Sequence, residues 1–164
     1  MKALFIGGIK SGKSKNAEAF ALEYAEKKPI YLATNEFFDE EMELRVAHHK
    51  AQRAELFETI EEPLYLANIA KQTDKLILVE CVSMWINNML YHEKNETQIF
   101  EELEQLFLHD NSMVFVINDV GNSVVSDKRI VRDFVDINGR VSQYLASKCE
   151  SVYHVVAGIK VQIK

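Results

Sequence analysis

The residues best placed to do chemistry stand at the start of the chain. Gly7-Gly8-Ile9-Lys10-Ser11-Gly12-Lys13-Ser14 fits G-x-x-x-x-G-K-[ST] at every fixed position. In such a loop, glycines let backbone N–H groups turn inward around phosphate oxygens, and the following helix adds the positive end of its dipole. Lys13 would reach the β- and γ-phosphates, and the Ser14 hydroxyl would ligate Mg²⁺. The motif has meaning only between a strand and a helix. Lys2-Ala3-Leu4-Phe5-Ile6 supplies a short apolar strand before it, and Lys15 to Lys27 a helical stretch after it. Nucleotide binding is the reading that follows.

Two further groups could act with this loop. Glu80 ends the apolar run Leu76-Ile77-Leu78-Val79. A carboxylate at that point of a phosphate-loop fold organises Mg²⁺, directly or through water. The bland alternative is a solvated strand-end acid. His48 and His49 lie in a segment, Asp39 to Phe57, that reads as a helix with acids in its first turn and bases in its last. Adjacent side chains on a helix point about 100° apart, so the pair is poorly arranged for a shared metal. On residue pattern alone His48, a helical neighbour of Arg45 and Gln52, belongs to a solvated basic face. Its chemistry allows more, because an imidazole with a pKa near 6.5 is largely neutral at pH 7 and a competent nucleophile. Asn118-Asp119-Val120-Gly121 lacks the lysine and spacing of a guanine-specificity loop.

The elements that must position these groups alternate. Apolar runs recur at Leu4–Ile6, Ile30–Thr34, Leu76–Glu80, Val114–Asn118 and Val152–Val156, with helical patterns between them. Near-continuous apolar strands suit a parallel sheet covered on both faces. The longest helical pattern, Arg129 to Lys148, places Ile130, Phe134, Ile137, Val141 and Leu145 at steps of three and four. Val161-Gln162-Ile163, after Gly158, reads as a short antiparallel hairpin partner at the sheet edge. The expected fold is a P-loop NTPase-like, doubly wound α/β domain spanning residues 1–164, its mostly parallel sheet flanked by helices on both faces. Ligands then belong at the carboxyl ends of the strands, where Thr34, Asn35, Glu80, Asn118 and Asp119 stand.

Bulk properties narrow the function classes. A chain of 164 residues with 48% hydrophobic and 27% charged residues suits one domain. A net charge of −6 disfavours a free-standing nucleic-acid binder. Cys81 and Cys149 are too few for a disulfide framework and suit buried thiols in a reducing compartment. No run approaches the roughly 18 apolar residues of a membrane span, and the N-terminal residues read as a core strand rather than a signal peptide, so the cytoplasm is expected.

Taken together, these stretches resemble the bifunctional adenosylcobinamide kinase / adenosylcobinamide-phosphate guanylyltransferase family of cobalamin assembly. The likeness runs over nearly the whole chain. It rests on the phosphate loop followed by Ala17-Glu18, on Tyr31-Leu32-Ala33-Thr34, and on Asp39-Glu40-Glu41-Met42 leading to Arg45 and His48-His49-Lys50. Thr59-Ile60-Glu61-Glu62-Pro63, Glu80-Cys81, Asn118-Asp119-Val120-Gly121, Gly139-Arg140, Gly158 and Lys164 complete it. Departures from the family pattern, among them Asp119, Val135 and Ser142, gather after the fourth strand candidate.

The resemblance implies phosphorylation of adenosylcobinamide with ATP or GTP, then transfer of GMP from GTP onto a histidine, and finally onto adenosylcobinamide phosphate. The family's nucleotide-accepting histidine matches His48. By the same analogy Ala33, Thr34, Asn35, His49, Lys50, Ala51, Gln52 and Glu61 line the guanine nucleotide, and Glu80 serves Mg²⁺ or the ribose. The partners implied are a nucleoside triphosphate, a corrinoid and further copies of the chain, as in a trimer. Two other readings fit the loop: a small-molecule kinase without a covalent step, and a non-catalytic nucleotide-binding switch.

Overall fold

The computed structural model describes residues 1–36, 55–122 and 124–164. In chain order the described elements are β1 (Lys2–Gly7), α1 (Lys13–Tyr24), β2 (Ile30–Ala33), β3 (Glu58–Glu61), α2 (Leu66–Lys71), β4 (Ile77–Glu80), α3 (Val82–Tyr91), α4 (Glu96–Phe107), β5 (Met113–Asn118), α5 (Arg129–Lys148), β6 (Ser151–Val156) and β7 (Ile159–Gln162). The seven strands form one sheet in the order β3-β2-β4-β5-β1-β6-β7. All neighbours run parallel except β6 and β7, which pair antiparallel as a hairpin.

Alternation along each strand sorts side chains onto two faces. Leu4, Leu32, Ile77, Val79, Phe115 and Ile117 join one cluster with Trp85, Ile86, Leu103, Val141 and Leu145, so α2 to α5 cover that face. Ala3, Phe5, Tyr31, Leu78, Val114 and Val116 join Ala17, Phe20 and Ala21 of α1 on the other. Trp85 is fully buried and donates its indole N–H to the Leu64 carbonyl at 2.9 Å, so the ring packs without leaving its polar atom unpaired. Asn95 caps α4 in a reciprocal box with Gln98, both bonds 3.0 Å long. Lys164 closes α5 from outside, donating to the Ala146 and Cys149 carbonyls at 2.8 Å.

The five long strand expectations and the terminal hairpin match observed strands to within two residues at each end, and α5 matches its expected bounds. Two corrections stand out. The helix expected over 39–57 does not extend to its stated end: Glu55 and Leu56 form a turn and Phe57 is a buried residue entering β3; residues 39–54 lie outside the described ones. β3 itself is an unforeseen edge strand, because Glu-Thr-Ile-Glu is too short and too polar to signal one.

Replacing Trp85 with Ala removes the largest fully buried side chain and exposes the Leu64 carbonyl's loss of a donor. Urea denaturation is expected to show a loss of about 3–5 kcal/mol, while Trp85→Phe keeps most of the packing and loses less.

Candidate active site

The phosphate loop occupies the crevice at the carboxyl ends of β1 and β5. There the connections leave for opposite faces of the sheet, α1 packing on one and α5 on the other. This is the topological switch point of a doubly wound sheet. The loop is locked at three places. Asp119 N–H donates to the Gly7 carbonyl at 3.0 Å, Ser11 N–H to the Gly8 carbonyl at 3.2 Å, and Gly158 N–H to the Ser11 carbonyl at 2.7 Å.

Two glycines are required by space. A Cβ on Gly7 would stand 2.5 Å from both Ser11 Oγ and the Val155 carbonyl oxygen. Gly12 has φ +91°, and a Cβ there would approach Gly158 Cα to 3.0 Å. Asn16 braces this contact by donating to the carbonyls of Gly12 and Gly158 at 3.0 and 3.1 Å. Helix α1 begins at Gly12 with no side-chain cap and no acid in its first turn. Its first N–H groups thus remain available to an anion. Ser11 Oγ is buried with no hydrogen-bond partner among the described residues.

Lys13 is 7% exposed, and its ammonium donates to the Gly8 carbonyl at 3.2 Å, folded back over the loop. Ser14 donates to Glu80 Oε1 at 2.7 Å. The strand order explains that bond. β4 is separated from β1 by β5, but α1 packs across β1, β5 and β4 together, which carries Ser14 to the end of β4. A hydroxyl beside a carboxylate is a hard-oxygen donor pair of the kind Mg²⁺ takes, with phosphate and water completing the shell. Among the described residues no three His, Cys, Asp or Glu side chains converge as a metal cage. The residues present therefore fit a metal held jointly with a bound phosphate.

The other expected residues fall in distinct places. Thr34 is fully buried, and its hydroxyl donates to the Cys81 carbonyl at 2.9 Å, while its N–H donates to the Glu80 carbonyl at 3.1 Å. Ala33 pairs with Glu80 on one side and with the exposed Glu61 on the other. Asn35 is half-buried, one residue before Glu36, which meets His92 Nε2 at 2.8 Å. Ile9 and Lys10 are exposed at the loop's tip. His48, His49, Lys50, Ala51 and Gln52 lie outside the described residues. The segment that carries them leaves the sheet at Thr34–Glu36, next to Glu80. Arg140 of the Gly139-Arg140 pair forks onto both carboxylate oxygens of Glu96 at the start of α4, away from the loop.

Residue reading missed a buried polar set. Ser83 Oγ donates to Asn138 Oδ1 at 2.7 Å and accepts from the Asn118 N–H at 2.9 Å; Asn138 Nδ2 donates to the Asn118 carbonyl at 3.0 Å. A signal existed, since Asn138 interrupts the apolar face formed by Phe134, Val141 and Leu145. Beyond β5, a depression of about 290 Å³ is lined by Val124, Val125, Val131 and Val135 together with two arginines, Arg129 and Arg132, and two aspartates, Asp133 and Asp136. Burial, reinforced by the neighbouring Glu80 carboxylate, pushes the Cys81 thiol up to about 11, and burial pushes Cys149 up to about 12.

The sheet order and the loop define a P-loop nucleotide-binding fold. Solved structures share that fold: a KaiC-like protein from Pyrococcus horikoshii (15% identity, TM-score 0.51, covering 93% of this chain and 69% of that one) and the flagellar accessory protein FlaH from Methanocaldococcus jannaschii (10%, 0.50, 98% and 75%). The chain belongs to the cobinamide kinase / cobinamide phosphate guanyltransferase family, whose profile matches residues 3–163, and is a transferase. It is 33% identical to the bifunctional adenosylcobalamin biosynthesis protein CobU of Escherichia coli K12 over the whole of both chains. It is 34% identical to CobP of Pseudomonas aeruginosa, covering 100% of this chain and 98% of that one.

Two outcomes follow. Gly12→Ala forces a side chain into the left-handed region against Gly158 and is expected to cost about 1–3 kcal/mol in urea denaturation, with weaker Mg²⁺-GTP binding by calorimetry. At pH 8 a thiol raised to about 11 is about one part in a thousand thiolate, so iodoacetamide is expected to label Cys81 and Cys149 only after denaturation, as read by mass spectrometry.

Proposed function

We propose that this chain phosphorylates adenosylcobinamide and then transfers GMP from GTP to the phosphorylated product, with His48 carrying GMP between the two partners. The observation that supports this most is the convergence of Lys13, Ser14 and Glu80 at the mouth of a phosphate loop, within a family whose relatives are bifunctional. In the kinase step the acceptor hydroxyl oxygen attacks the γ-phosphorus and gives up its proton to solvent, the bond to the bridging oxygen breaks, and the nucleoside diphosphate leaves. ATP or GTP serves as donor. In the second step a neutral His48 nitrogen attacks the α-phosphorus of GTP, and pyrophosphate leaves. The phosphate of adenosylcobinamide phosphate then displaces the histidine, forming adenosylcobinamide-GDP and restoring His48.

Each described residue has a role that follows from its position. The backbone from Gly7 to Gly12 and the first turn of α1 hold phosphate oxygens. Lys13 moves from the Gly8 carbonyl to the phosphates and stabilises charge on the leaving group. Ser14 and Glu80 would hold Mg²⁺, which when bound neutralises phosphate charge. Ala33, Asn35 and Glu61, at the ends of neighbouring strands, border the guanine nucleotide together with Thr34, His49, Lys50, Ala51 and Gln52. A soluble homo-oligomer in the cytoplasm is the setting we infer; no helix among the described residues is long and apolar enough to cross a membrane.

The test is covalent labelling. Incubation with Mg²⁺ and GTP labelled at the α-phosphate is expected to label the protein, with the label lost in acid and kept in base as a phosphoramidate requires. His48→Ala is expected to abolish the label while GTP still binds. Labelling that persists in this variant removes His48 from the mechanism. γ-Phosphate transfer to cobinamide with an unlabelled wild-type protein would favour a simple kinase instead.

A further inference from the structure

The end of β4 carries the carboxylate of the candidate site and leads almost at once into a helix. Glu80 is the last residue of the strand, Cys81 alone links it to Val82, and Val82 opens α3. Cys81 stands at the N-cap position, and no side chain caps the helix there. A link of one residue has little slack, so a shift of that junction also moves the Glu80 side chain. Ser14 and Glu80 meet at 2.7 Å, a contact that such a shift would break.

One residue of the neighbouring strand grips the junction. Ala33 is the register partner of Glu80, and Thr34 follows it. The Thr34 N–H donates to the Glu80 carbonyl at 3.1 Å, and its hydroxyl donates to the Cys81 carbonyl at 2.9 Å. The Cys81 carbonyl also accepts the Trp85 N–H at 3.1 Å, in the first turn of α3. Asn88, on the same helix, holds Thr34 in turn. Its side-chain amide donates to the Thr34 carbonyl at 2.6 Å and to the Pro63 carbonyl at 3.2 Å. Two carbonyls fix which way that amide is turned, since only its nitrogen can donate. Thr34 and Asn88 are both fully buried. Leaving a buried carbonyl unpaired is costly, so this set holds the junction closely. Alternation places Thr34 in the series of Leu32, on the α2–α5 face, and Glu80 in that of Leu78, on the α1 face. The hydroxyl is therefore committed beneath the strand end, while the carboxylate above it meets Ser14.

We propose that Thr34, held by Asn88, is a positioning residue that sets the Glu80 carboxylate for the divalent cation it would share with Ser14. The proposal rests on the reading that Ser14 and Glu80 hold Mg²⁺. That cation demands near-ideal octahedral geometry, with ligands at about 2.0–2.1 Å. A carboxylate displaced by a fraction of an ångström no longer meets that demand. The side chain of Thr34 thus acts on the metal end of the site through the main chain of residues 80 and 81, without touching the ion.

The experiment reads metal affinity rather than turnover. Mn²⁺, followed by its electron paramagnetic resonance signal, is titrated into the protein with β,γ-imido-GTP bound and protein in excess over nucleotide. Thr34→Val keeps the shape and loses the hydroxyl. It is expected to raise the Mn²⁺ dissociation constant roughly tenfold, as for loss of a group that orients a ligand. Thr34→Ser keeps the donor and is expected to restore most of the affinity. If the valine variant does not fold, Thr34→Ala takes its place with the same expectation. Glu80→Gln is the reference and is expected to weaken Mn²⁺ at least as much as Thr34→Val. An unchanged constant in Thr34→Val, beside a loss in Glu80→Gln, overturns the proposal and leaves the metal reading standing. A serine variant as weak as the valine one also overturns it, because packing rather than the hydroxyl is then responsible. An unchanged constant in Glu80→Gln removes the metal reading and the proposal with it.

Discussion

The hydrogen bond from Ser14 to Glu80, 2.7 Å long and joining residues 66 apart in sequence, is the constraint around which the candidate site is arranged. It requires the first turn of α1 to lie over the end of a strand that is not adjacent to β1. That is possible only because α1 crosses the sheet face and meets β1, β5 and β4 in turn. The apolar contacts of Ala17, Phe20 and Ala21 hold the helix in that diagonal. The packing energy of one sheet face is therefore what brings a hydroxyl to a carboxylate, and the polar contact itself is the consequence.

The two faces of the sheet carry different duties. The α2–α5 face has the larger apolar cluster and supplies most of the burial. It also reaches through to the site, where Ser83 and Asn138 fix the Asn118 peptide. The α1 face is thinner among the described residues and presents Ser14 and Glu80, the pair proposed to meet ligand. Rigidity on one side and chemistry on the other is a division suited to an enzyme that must hold phosphate geometry closely.

Much of this was legible from residue order. The long buried strands announce themselves because both faces are covered and each residue is apolar, as in Met113–Asn118. Helix α5 was bounded correctly because its stripe is strongly amphipathic. The phosphate loop and Glu80 were readable from motif and from place in a strand. The order of the strands was not, since pairing depends on which helix lies on which face, and that is decided by packing rather than by local pattern. β3 escaped for a different reason: Glu58 and Glu61 are exposed at an edge, where a strand needs only backbone bonds to Ile30–Ala33. The Ser83–Asn138 contact joins residues 55 apart, and only one side of it left a mark, the polar break in an apolar helix face.

The brace between Asn16 and the β6–β7 turn spans 142 residues of sequence. A nascent chain cannot make that contact until Gly158 has been synthesised, although the loop it steadies is made 142 residues earlier. At roughly 5–20 residues per second, translation separates the two by about seven to thirty seconds. For most of that interval β1, destined for a place between β5 and β6, lacks β5, and it lacks β6 until nearly the end. The phosphate loop is thus encoded before the segments that brace it and is completed only when they arrive, with β1 left as an unpaired apolar strand in the meantime.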